Sequence, residues 1–238
     1  MPVSISSKTA HPSILLVDDE EDILDLLQYN LERDGFLTQT AQDGLEALNF
    51  VARKEPDLIV LDVMMPRMNG FEACQQLRQD ERFSKIPIIM LTARNGEQDY
   101  VRGLDAGADV YLTKPISPRV LSSQIRALLR SRTRLSSLPE CVIVENLEID
   151  RTRYLAYRYA NGIKEVLHFP RQQFELLHFL AAQAGKVFTR DELLDALWDR
   201  DADVIERTVD VHIRKIREQI GNEFIETVKG VGYRFREA

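Results

Sequence analysis

The carboxylate of Asp62 directly follows a run of apolar residues, Leu58 to Leu61. Pro66 and Gly70 then break the chain into a loop. This pattern predicts a buried strand that ends at the carboxylate, and in a parallel α/β sheet ligands bind at the carboxyl ends of the strands. The alternative is that Asp62 only caps the loop that follows it.

Further polar side chains stand where other apolar runs end, namely Asp18, Asp19, Thr92 and Lys114. If these runs are parallel strands of one sheet, three carboxylates gather at one edge and repel one another unless a cation joins them. Mg2+ prefers such oxygen ligands. Lys114 could neutralise an added anion, and the hydroxyl of Thr92 could bond to it. Taken singly, each residue has an ordinary alternative as a helix cap, a strand residue or a solvated turn residue.

In the first half of the chain, short apolar runs alternate with segments whose apolar residues recur at the spacing of an α-helix. Five predicted strands, each followed by a predicted helix, indicate a parallel, doubly wound sheet with helices on both faces. The predicted strands are Ile14 to Val17, Leu37 to Ala41, Leu58 to Leu61, Ile86 to Leu91 and Val110 to Leu112. The predicted helices are Asp22 to Arg33, Gly44 to Arg53, Gly70 to Arg78, Gln98 to Ala106 and Pro118 to Arg132.

A length of 238 residues predicts two domains, and 44% apolar with 29% charged residues is typical of a globular protein. No apolar run could span a bilayer and Met1 to Pro12 lacks the apolar core of a secretion signal, so we expect a cytoplasmic protein without a membrane partner.

Cys74 and Cys141 have no ligand-like spacing and are expected to be reduced structural thiols. The net charge of -7 argues weakly against nucleic acid, so a DNA-binding site would have to be a local cluster of cations.

Four motifs of the first half resemble the receiver domain of bacterial response regulators. They are VDDE at Val17 to Glu20, LDVMMPRMNG around Asp62, LTA at Leu91 to Ala93 and LTKP at Leu112 to Pro115. The resemblance implies that Asp62 accepts a phosphoryl group from the phosphohistidine of a sensor histidine kinase. It also implies that Asp18, Asp19 and Asp62 hold Mg2+ with the backbone carbonyl of Met64, and that the Lys114 to Pro115 peptide is cis.

The resemblance further implies a conformational switch. Thr92 and Lys114 would contact the phosphoryl oxygens, and a movement of Thr92 would vacate space for the ring of Tyr111. The charge added at Asp62 would bias a two-state equilibrium. We expect this change of conformation to affect the face formed by the predicted helix from Gln98, the strand at Val110 and the helix from Pro118.

That face departs from the pattern of the OmpR/PhoB subfamily, in which charged pairs hold two receivers together. At the positions of two of these pairs, the chain has Tyr100 with Val120 and Val110 with Gln124, which carry no charge. At a third pair of positions, Asp105 and Arg126 keep opposite charges. Because both members of two pairs are replaced, we predict a more apolar dimer face whose affinity depends little on salt. The alternative is that these are interior or solvent positions without consequence for dimerisation.

The pattern changes after residues 134–140, a predicted linker. Short strands and the hairpin signal Asn161-Gly162 predict an antiparallel sheet. These strands are Val142 to Val144, Leu147 to Ile149, Tyr154 to Tyr159 and Glu165 to Phe169. Three helices and a terminal hairpin then outline a winged helix-turn-helix: Arg171 to Gln183, Arg190 to Trp198, Glu206 to Ile220, Phe224 to Val228 and Tyr233 to Phe235.

The third of these helices has an apolar stripe formed by Val209, Ile213, Ile216 and Ile220. A helix that buries one side and presents cations on the other fits the major groove of DNA, although a solvated charged helix is the simpler alternative. Lys229, at the hairpin tip near Thr227, suits the minor groove. The residues of the helix that lie largely off the stripe are Arg207, Thr208, Val211, Arg214, Lys215 and Arg217.

The motifs ERTVDVHIRKIR and TVKGVGYRF resemble the OmpR/PhoB effector domain. The resemblance implies base or phosphate contacts for Thr208, Val211, Lys215 and Arg217, backbone contacts for Trp198 and Arg207, and minor-groove entry for Lys229. The acidic loop 199–203 would meet RNA polymerase, unless it is merely solvated. The expected fold is therefore α/β plus α+β. A five-stranded doubly wound parallel receiver of flavodoxin-like order 2-1-3-4-5, at 12–133, precedes an OmpR/PhoB-type winged helix-turn-helix domain at 141–238.

These patterns predict a phosphorylation-controlled, DNA-binding transcriptional regulator of a two-component system. Phosphorylated receivers would pair, and two effector domains would bind direct repeats with an affinity raised by their effective concentration. One alternative is a constitutive dimer that binds DNA without phosphorylation. A metal-dependent phosphatase is another, although the sequence shows neither a substrate cap nor a second general acid, so we do not expect an enzyme.

Overall fold

The computed structural model describes residues 11–93, 97–134, 138–160, 162–198 and 207–237, apart from the side chains of residues 97–100 and 130–134. In the first half, five strands alternate with five helices. They are β1 (Ser13–Val17), α1 (Glu21–Arg33), β2 (Leu37–Ala41), α2 (Gly44–Arg53), β3 (Leu58–Asp62), α3 (Gly70–Gln79), β4 (Ile88–Thr92), α4 (Glu97–Asp105), β5 (Val110–Thr113) and α5 (Pro118–Arg134). The strands form one parallel sheet in the order β2-β1-β3-β4-β5, which confirms the predicted fold.

Alternate residues of the central strands point to opposite faces of this sheet. Leu16 of β1 packs in a cluster with side chains of α1 and α5, whereas Leu15 packs in another with side chains of α2, α3 and α4. Every residue of β3 is buried between these layers. Burial on both faces explains why the run before Asp62 contains no polar residue.

The second half forms two antiparallel sheets around three helices, which confirms the predicted winged-helix domain. The first sheet has the order β6-β7-β8-β9 and the second the order β10-β12-β11. The elements are β6 (Cys141–Val144), β7 (Leu147–Asp150), β8 (Leu155–Ala160), β9 (Ile163–Leu167), α6 (Arg171–Ala181), β10 (Val187–Thr189), α7 (Arg190–Leu197), α8 (Arg207–Ile220), β11 (Ile225–Val228) and β12 (Gly232–Phe235). The three-residue strand β10 was not predicted, because it is too short for an alternating pattern and pairs with a strand far along the chain.

The junction between the halves differs slightly from the predicted linker. Helix α5 extends to Arg134, so the first residue of the predicted linker is helical, and β6 begins at Cys141. Residues 135–137 of the linker and Asn161 of the hairpin signal lie outside the described residues. Strands β8 and β9 nevertheless pair as this signal predicted, with Ala160 opposite Ile163. The domain boundaries themselves stay a prediction.

The receiver half and the effector half pack against each other. Helix α4 contacts α8, and helix α5 contacts α7. The cluster that contains Leu16 of β1 also contains Phe235 of β12. The third helix of the effector half, α8, therefore lies beside the receiver. Among the helices in the described parts of the chain, none is long and apolar enough to cross a membrane.

Candidate phosphoacceptor site and DNA interface

A polar pocket lies where strands β1, β3 and β5 end. Asp18 follows β1, Asp62 is the last residue of β3, and Lys114 follows β5. The structure brings these three side chains together, because Lys114 Nζ lies 2.6 Å from Asp18 Oδ2 and 2.7 Å from Asp62 Oδ1. The peptide between Lys114 and Pro115 is cis, as expected.

The loop after β3 fixes the orientation of Asp62. The backbone N–H of Met64 donates to Asp62 Oδ2 at 2.7 Å. Gly70, at the start of α3, passes so close that a Cβ there would overlap the backbone carbonyl of Asp62. Asn69 and Glu72 form a reciprocal capping box at the same helix start. The sequence marked Gly70 only as a break, whereas the structure gives it this second role of close approach.

Burial and charge act against each other in this pocket. Burial of Asp62 raises the pKa of its carboxyl, Lys114 lowers it, and the neighbouring Asp18 raises it further, so that the net shift is upward. Burial disfavours the ammonium of Lys114, but the bonds to both carboxylates outweigh this effect and its pKa is raised. With two carboxylates and one ammonium, the pocket keeps a net negative charge, and an incoming phosphoryl group would require a further cation.

The structure does not gather all the predicted metal ligands. Asp19 is exposed, whereas Asp18 and Asp62 are buried. Within the described residues, no group of three or more His, Cys, Asp or Glu side chains is arranged to hold a metal ion. The donor chemistry still fits Mg2+, because this ion normally takes one or two carboxylates and keeps several waters.

Thr92 and Tyr111, the predicted switch residues, are both buried. The ring of Tyr111 lies against Gly103 of α4, where a Cβ would overlap the ring. Gly103 therefore allows α4 to pack closely on Tyr111, which the sequence did not indicate. A movement of this ring would have to be accommodated by α4.

The predicted DNA contacts of α7 and α8 differ in exposure. Three of them are buried, namely Trp198, Thr208 and Val211, while Arg207 and Arg214 are exposed and Lys215 is partly buried. The side chain of Val211 packs in a cluster whose other buried members all belong to the receiver. The receiver thus covers part of the surface that the sequence assigned to DNA.

The hairpin after α8 is tied to that helix by Arg217. Its guanidinium donates to the carbonyl of Ile225 at 2.7 Å and to the hydroxyl of Thr227 at 2.9 Å. Lys229 follows β11 and is exposed at the hairpin tip. Arg217 and Thr227 therefore have a structural role besides the predicted contact with DNA, and Lys229 is accessible.

Asp109, which the sequence did not single out, joins the two halves. Its carboxylate accepts hydrogen bonds from Arg78 at 2.9 Å and from the backbone N–H of Ile88 at 2.8 Å, both within the receiver. The same carboxylate accepts from the backbone N–H of Gln172 at the start of α6, at 3.0 Å. A buried carboxylate with this many donors fixes the position of the residue between the domains.

The backbone carbonyl of Asp109 faces the end of α7 and the middle of α8. The indole Nε1–H of Trp198 donates to it at 3.1 Å, and Nε2 of His212 lies 3.4 Å away. The rings of Trp198 and His212 are stacked, with centroids 5.3 Å apart. One receiver residue therefore contacts both helices of the predicted DNA-binding motif.

Within the chain, Asp105 does not pair with Arg126. Its carboxylate bonds to Arg214 of α8, and Lys215 Nζ lies 3.9 Å away. Arg126 instead lies over the ring of Phe36 and donates to a backbone carbonyl of the receiver. The predicted pair was one between two receivers, so it stays a prediction.

Other predicted members of the dimer face are interior. Val110 and Gln124 have no exposed surface, Val120 is partly buried, and the side chain of Tyr100 lies outside the described residues. Neither the oxygen nor the nitrogen of the Gln124 amide has a hydrogen-bond partner in the described part of the chain. Val110 and Gln124 could contribute to a receiver pair only if their packing changed.

Comparison with known proteins agrees with this architecture. The model of the response regulator receiver domain matches residues 14–126, and that of the transcriptional regulatory protein C terminal matches residues 164–235. The alkaline phosphatase synthesis transcriptional regulatory protein PhoP of Bacillus subtilis is 44% identical over 238 residues, which cover 94% of this chain and 96% of that protein. The phosphate regulon transcriptional regulatory protein PhoB of Escherichia coli is 38% identical over 226 residues, which cover 93% and 96%.

Two of the solved structures that resemble this chain cover most of its length. A mutant of RitR superposes with a TM-score of 0.78 at 26% identity and covers 95% of this chain and 100% of its own. The response regulator DrrB of Thermotoga maritima, described as an OmpR/PhoB homologue, superposes with a TM-score of 0.51 at 31% identity. It covers 95% of this chain and 100% of its own.

A receiver with acidic strand ends, followed by a winged-helix domain, defines a two-component response regulator. This chain belongs to the OmpR/PhoB family of these regulators. It is a phosphorylation-controlled transcriptional regulator with a DNA-binding domain.

Proposed function

We propose that Asp62 is the phosphoacceptor and that a sensor histidine kinase supplies the phosphoryl group. The observation that carries the proposal is the placement of Asp62, buried at the end of β3 with Lys114 Nζ 2.7 Å from its carboxylate. The carboxylate oxygen would attack the phosphorus, the kinase histidine would leave, and an acyl phosphate would form. Lys114 would neutralise part of the charge that this adds.

Mg2+ is the cofactor of the same proposal, since the pocket has more carboxylates than cations. Asp18, Asp19 and Asp62 would hold it, with the backbone carbonyl of Met64. The ion would screen the negative charges of the carboxylate and the phosphoryl donor. The residues of the chain itself position the nucleophile, through the Met64 N–H, and hold a donor, Lys114, for the phosphoryl oxygens.

Thr92 and Tyr111 would transmit the state of Asp62 to the effector domain. Thr92 ends β4 and Tyr111 lies in β5, next to α4. Helix α4 contacts α8 and α5 contacts α7, so a change in this region acts directly on the contact between domains. Phosphorylation would favour separation of the domains and pairing of two receivers through the face that includes Tyr100, Val110 and Val120.

The freed effector domains would bind direct repeats of double-stranded DNA. Helix α8 would enter the major groove with Thr208, Val211 and Lys215, and Lys229 would enter the minor groove. Loop 199–203, outside the described residues, would contact RNA polymerase. Since its partner is the genome, the protein would work in the cytoplasm.

The test combines phosphorylation with DNA binding. Acetyl phosphate and Mg2+ should add one phosphoryl group to the chain, as seen by intact-protein mass spectrometry, and the Asp62→Ala variant should gain none. Genome-wide binding of the two forms should then differ at specific promoters. A phosphorylated chain that binds the same sites as Asp62→Ala with equal occupancy would refute the proposed control.

A further inference from the structure

We infer that Arg67 is a positioning residue of the phosphoacceptor site. By holding the acceptor loop (residues 63–69) against the start of α2, it keeps the backbone carbonyl of Met64 in place for Mg2+. The inference rests on the proposed function. It adds to that function a residue outside the pocket that sets the affinity of the pocket for Mg2+.

The acceptor loop is packed against the receiver on one side only. Val63 and Met65 are buried in the cluster between the sheet and helices α2 to α4, whereas Met64, Pro66 and Arg67 are exposed. The exposed side of the loop carries the carbonyl that we propose as a ligand of Mg2+. Its position therefore depends on contacts with a neighbouring element.

Arg67 makes such a contact from an unusual backbone conformation. Its φ of 61° lies in the left-handed region, which an arginine rarely adopts. The guanidinium pairs with the carboxylate of Asp43 and lies 2.8 Å from Glu46 Oε1. A residue stays in such a costly conformation only where the surrounding contacts hold it there.

The partner of Arg67 is fixed in position. Asp43 has no exposed surface and is the N-cap of α2, where one of its oxygens accepts from the backbone N–H of Glu46 at 3.0 Å. Its other oxygen is the one that pairs with Arg67, which is the only cation paired with Asp43 in the described part of the chain. Because a buried carboxylate is costly without a cation, the start of α2 holds Arg67, and through it the loop.

A backbone contact beside this pair joins the same two elements. The N–H of Gly44 donates to the carbonyl of Met68 at 3.1 Å, and a Cβ at Gly44 would overlap the side chain of Met68. The loop is therefore held to α2 at two adjacent residues. Loss of the Arg67 pair should loosen the loop without detaching it.

Positioning and charge act in opposite directions on the binding of Mg2+. Arg67 is a cation close to a proposed cation site, so removal of its charge alone would tighten binding of Mg2+. Displacement of the Met64 carbonyl would weaken it, as loss of a supporting residue around a metal site usually does. The side chain of Arg67 is 56% exposed, which screens its charge, so we expect the weakening to dominate.

The test compares Arg67→Asn with Arg82→Asn in the unphosphorylated full chain, with Mg2+ binding measured by isothermal titration calorimetry. Asparagine tolerates the left-handed conformation, and both variants lose one positive charge. Arg82 is the matched control, because it pairs with Asp80 at 2.7 Å but is exposed in the turn after α3.

The dissociation constant for Mg2+ should rise about three- to tenfold in Arg67→Asn relative to Arg82→Asn. Arg67→Lys should give an intermediate value, since lysine keeps the charge but not the planar guanidinium. An unchanged or lower dissociation constant in Arg67→Asn would overturn the inference.

Hydrogen exchange measures the loop itself without Mg2+. Backbone amides of the acceptor loop should exchange faster in Arg67→Asn than in the wild type, and Arg82→Asn should match the wild type there. Exchange as slow in Arg67→Asn as in the wild type would also refute the role assigned to this residue.

The double variant Arg67→Asn with Asp43→Asn separates positioning from stability. Asparagine can keep the cap of α2, and it removes the buried charge that the single variant leaves without a cation. If Arg67 only neutralises Asp43, the double variant should regain both the melting temperature and the Mg2+ affinity of the wild type. If Arg67 positions the loop, only the melting temperature should recover.

Phosphorylation by acetyl phosphate distinguishes failure of this inference from failure of the proposed function. In Arg67→Asn, the Mg2+ concentration for half-maximal phosphorylation should rise, while the rate at saturating Mg2+ should change less. If the wild type neither binds Mg2+ nor gains a phosphoryl group, the proposed function fails and the inference fails with it. If the wild type does both and Arg67→Asn behaves like Arg82→Asn, the proposed function stands and the inference alone is refuted.

Discussion

Lowering the pH should open the contact between receiver and effector domain, because His212 is buried in it. The ring stacks on Trp198, its Nε2 lies 3.4 Å from the carbonyl oxygen of Asp109, and its Nδ1 has no hydrogen-bond partner in the described part of the chain. Burial lowers the pKa of His212 to about 4, with Asp109 opposing the shift and Arg78 adding to it. A proton on this ring would be buried without an acceptor at Nδ1.

The direction of this pH effect follows from the pKa of His212 in the open form, with the domains apart, and its pKa in the closed form. In the open form His212 should titrate near its usual value of 6.5, against about 4 in the closed form. The open form therefore binds more protons between these values, and the closed form is fully favoured only above pH 6.5. From about pH 7.5 to about pH 5.5, the ratio of open to closed molecules should rise about tenfold.

A second histidine also lies at the contact. His168 of the effector half lies 3.3 Å from Glu81 of the receiver half. Both side chains are exposed, so this pair contributes little. The effect of His212 should dominate, because its ring is fully buried.

Acrylamide quenching of Trp198 measures the opening across this pH range. Quenching of the wild type should increase at the acidic end, and the variant His212→Asn, which cannot titrate there, should show a flat profile. A profile that is equally steep in His212→Asn would refute the assignment of the effect to His212.

Three further predictions concern single positions. Asp62→Asn should prevent phosphorylation by acetyl phosphate in intact-protein mass spectrometry, and a modification that persists would contradict the assignment of the acceptor. Gln124→Met removes two unpartnered amide atoms at similar volume, so it should raise the free energy of unfolding by about 1 kcal/mol in urea titrations; a loss of stability would count against this reasoning. Thr189→Ala removes the hydroxyl that accepts from the Glu192 N–H at 3.1 Å and should lower that free energy by about 1 kcal/mol, whereas the control Thr189→Ser should retain it.

The sheet and the polar pocket could be predicted from the sequence because each of their parts has a local pattern. The apolar run before Asp62 marks a strand buried on both faces, and Pro66 and Gly70 mark the loop beyond it. Parallel topology then requires that strand ends meet at one edge. The contact between Lys114 and the carboxylates follows from that topology without any knowledge of the packing between domains.

The contact between domains could not be predicted in the same way. Trp198 and Asp109 are separated by 89 residues, and no local pattern connects an indole with a backbone carbonyl. The periodicity of α8 identified the stripe that faces its own domain, but Val211, which lies off this stripe, packs against the receiver. Amphipathic patterns indicate that a face is buried, and they do not indicate which partner buries it.

Gly103 offers a way to test whether the switch region controls the closed contact. It lies two residues before Asp105 in α4, and a Cβ there would overlap the ring of Tyr111. Gly103→Ala should therefore displace either the ring or the helix, weaken the bond between Asp105 and Arg214, and increase quenching of Trp198 without phosphorylation.

The double variant Gly103→Ala with Tyr111→Ala provides the control, because the smaller side chain removes the overlap. If Tyr111 acts on α4 by packing, the second substitution should reverse most of the opening caused by the first, whereas independent effects would add. An additive result would mean that Gly103 matters to α4 alone. The path from Asp62 to the DNA-binding helix would then have to use other contacts between the domains, such as that of α5 with α7 or those of Asp109 with Gln172 and Trp198.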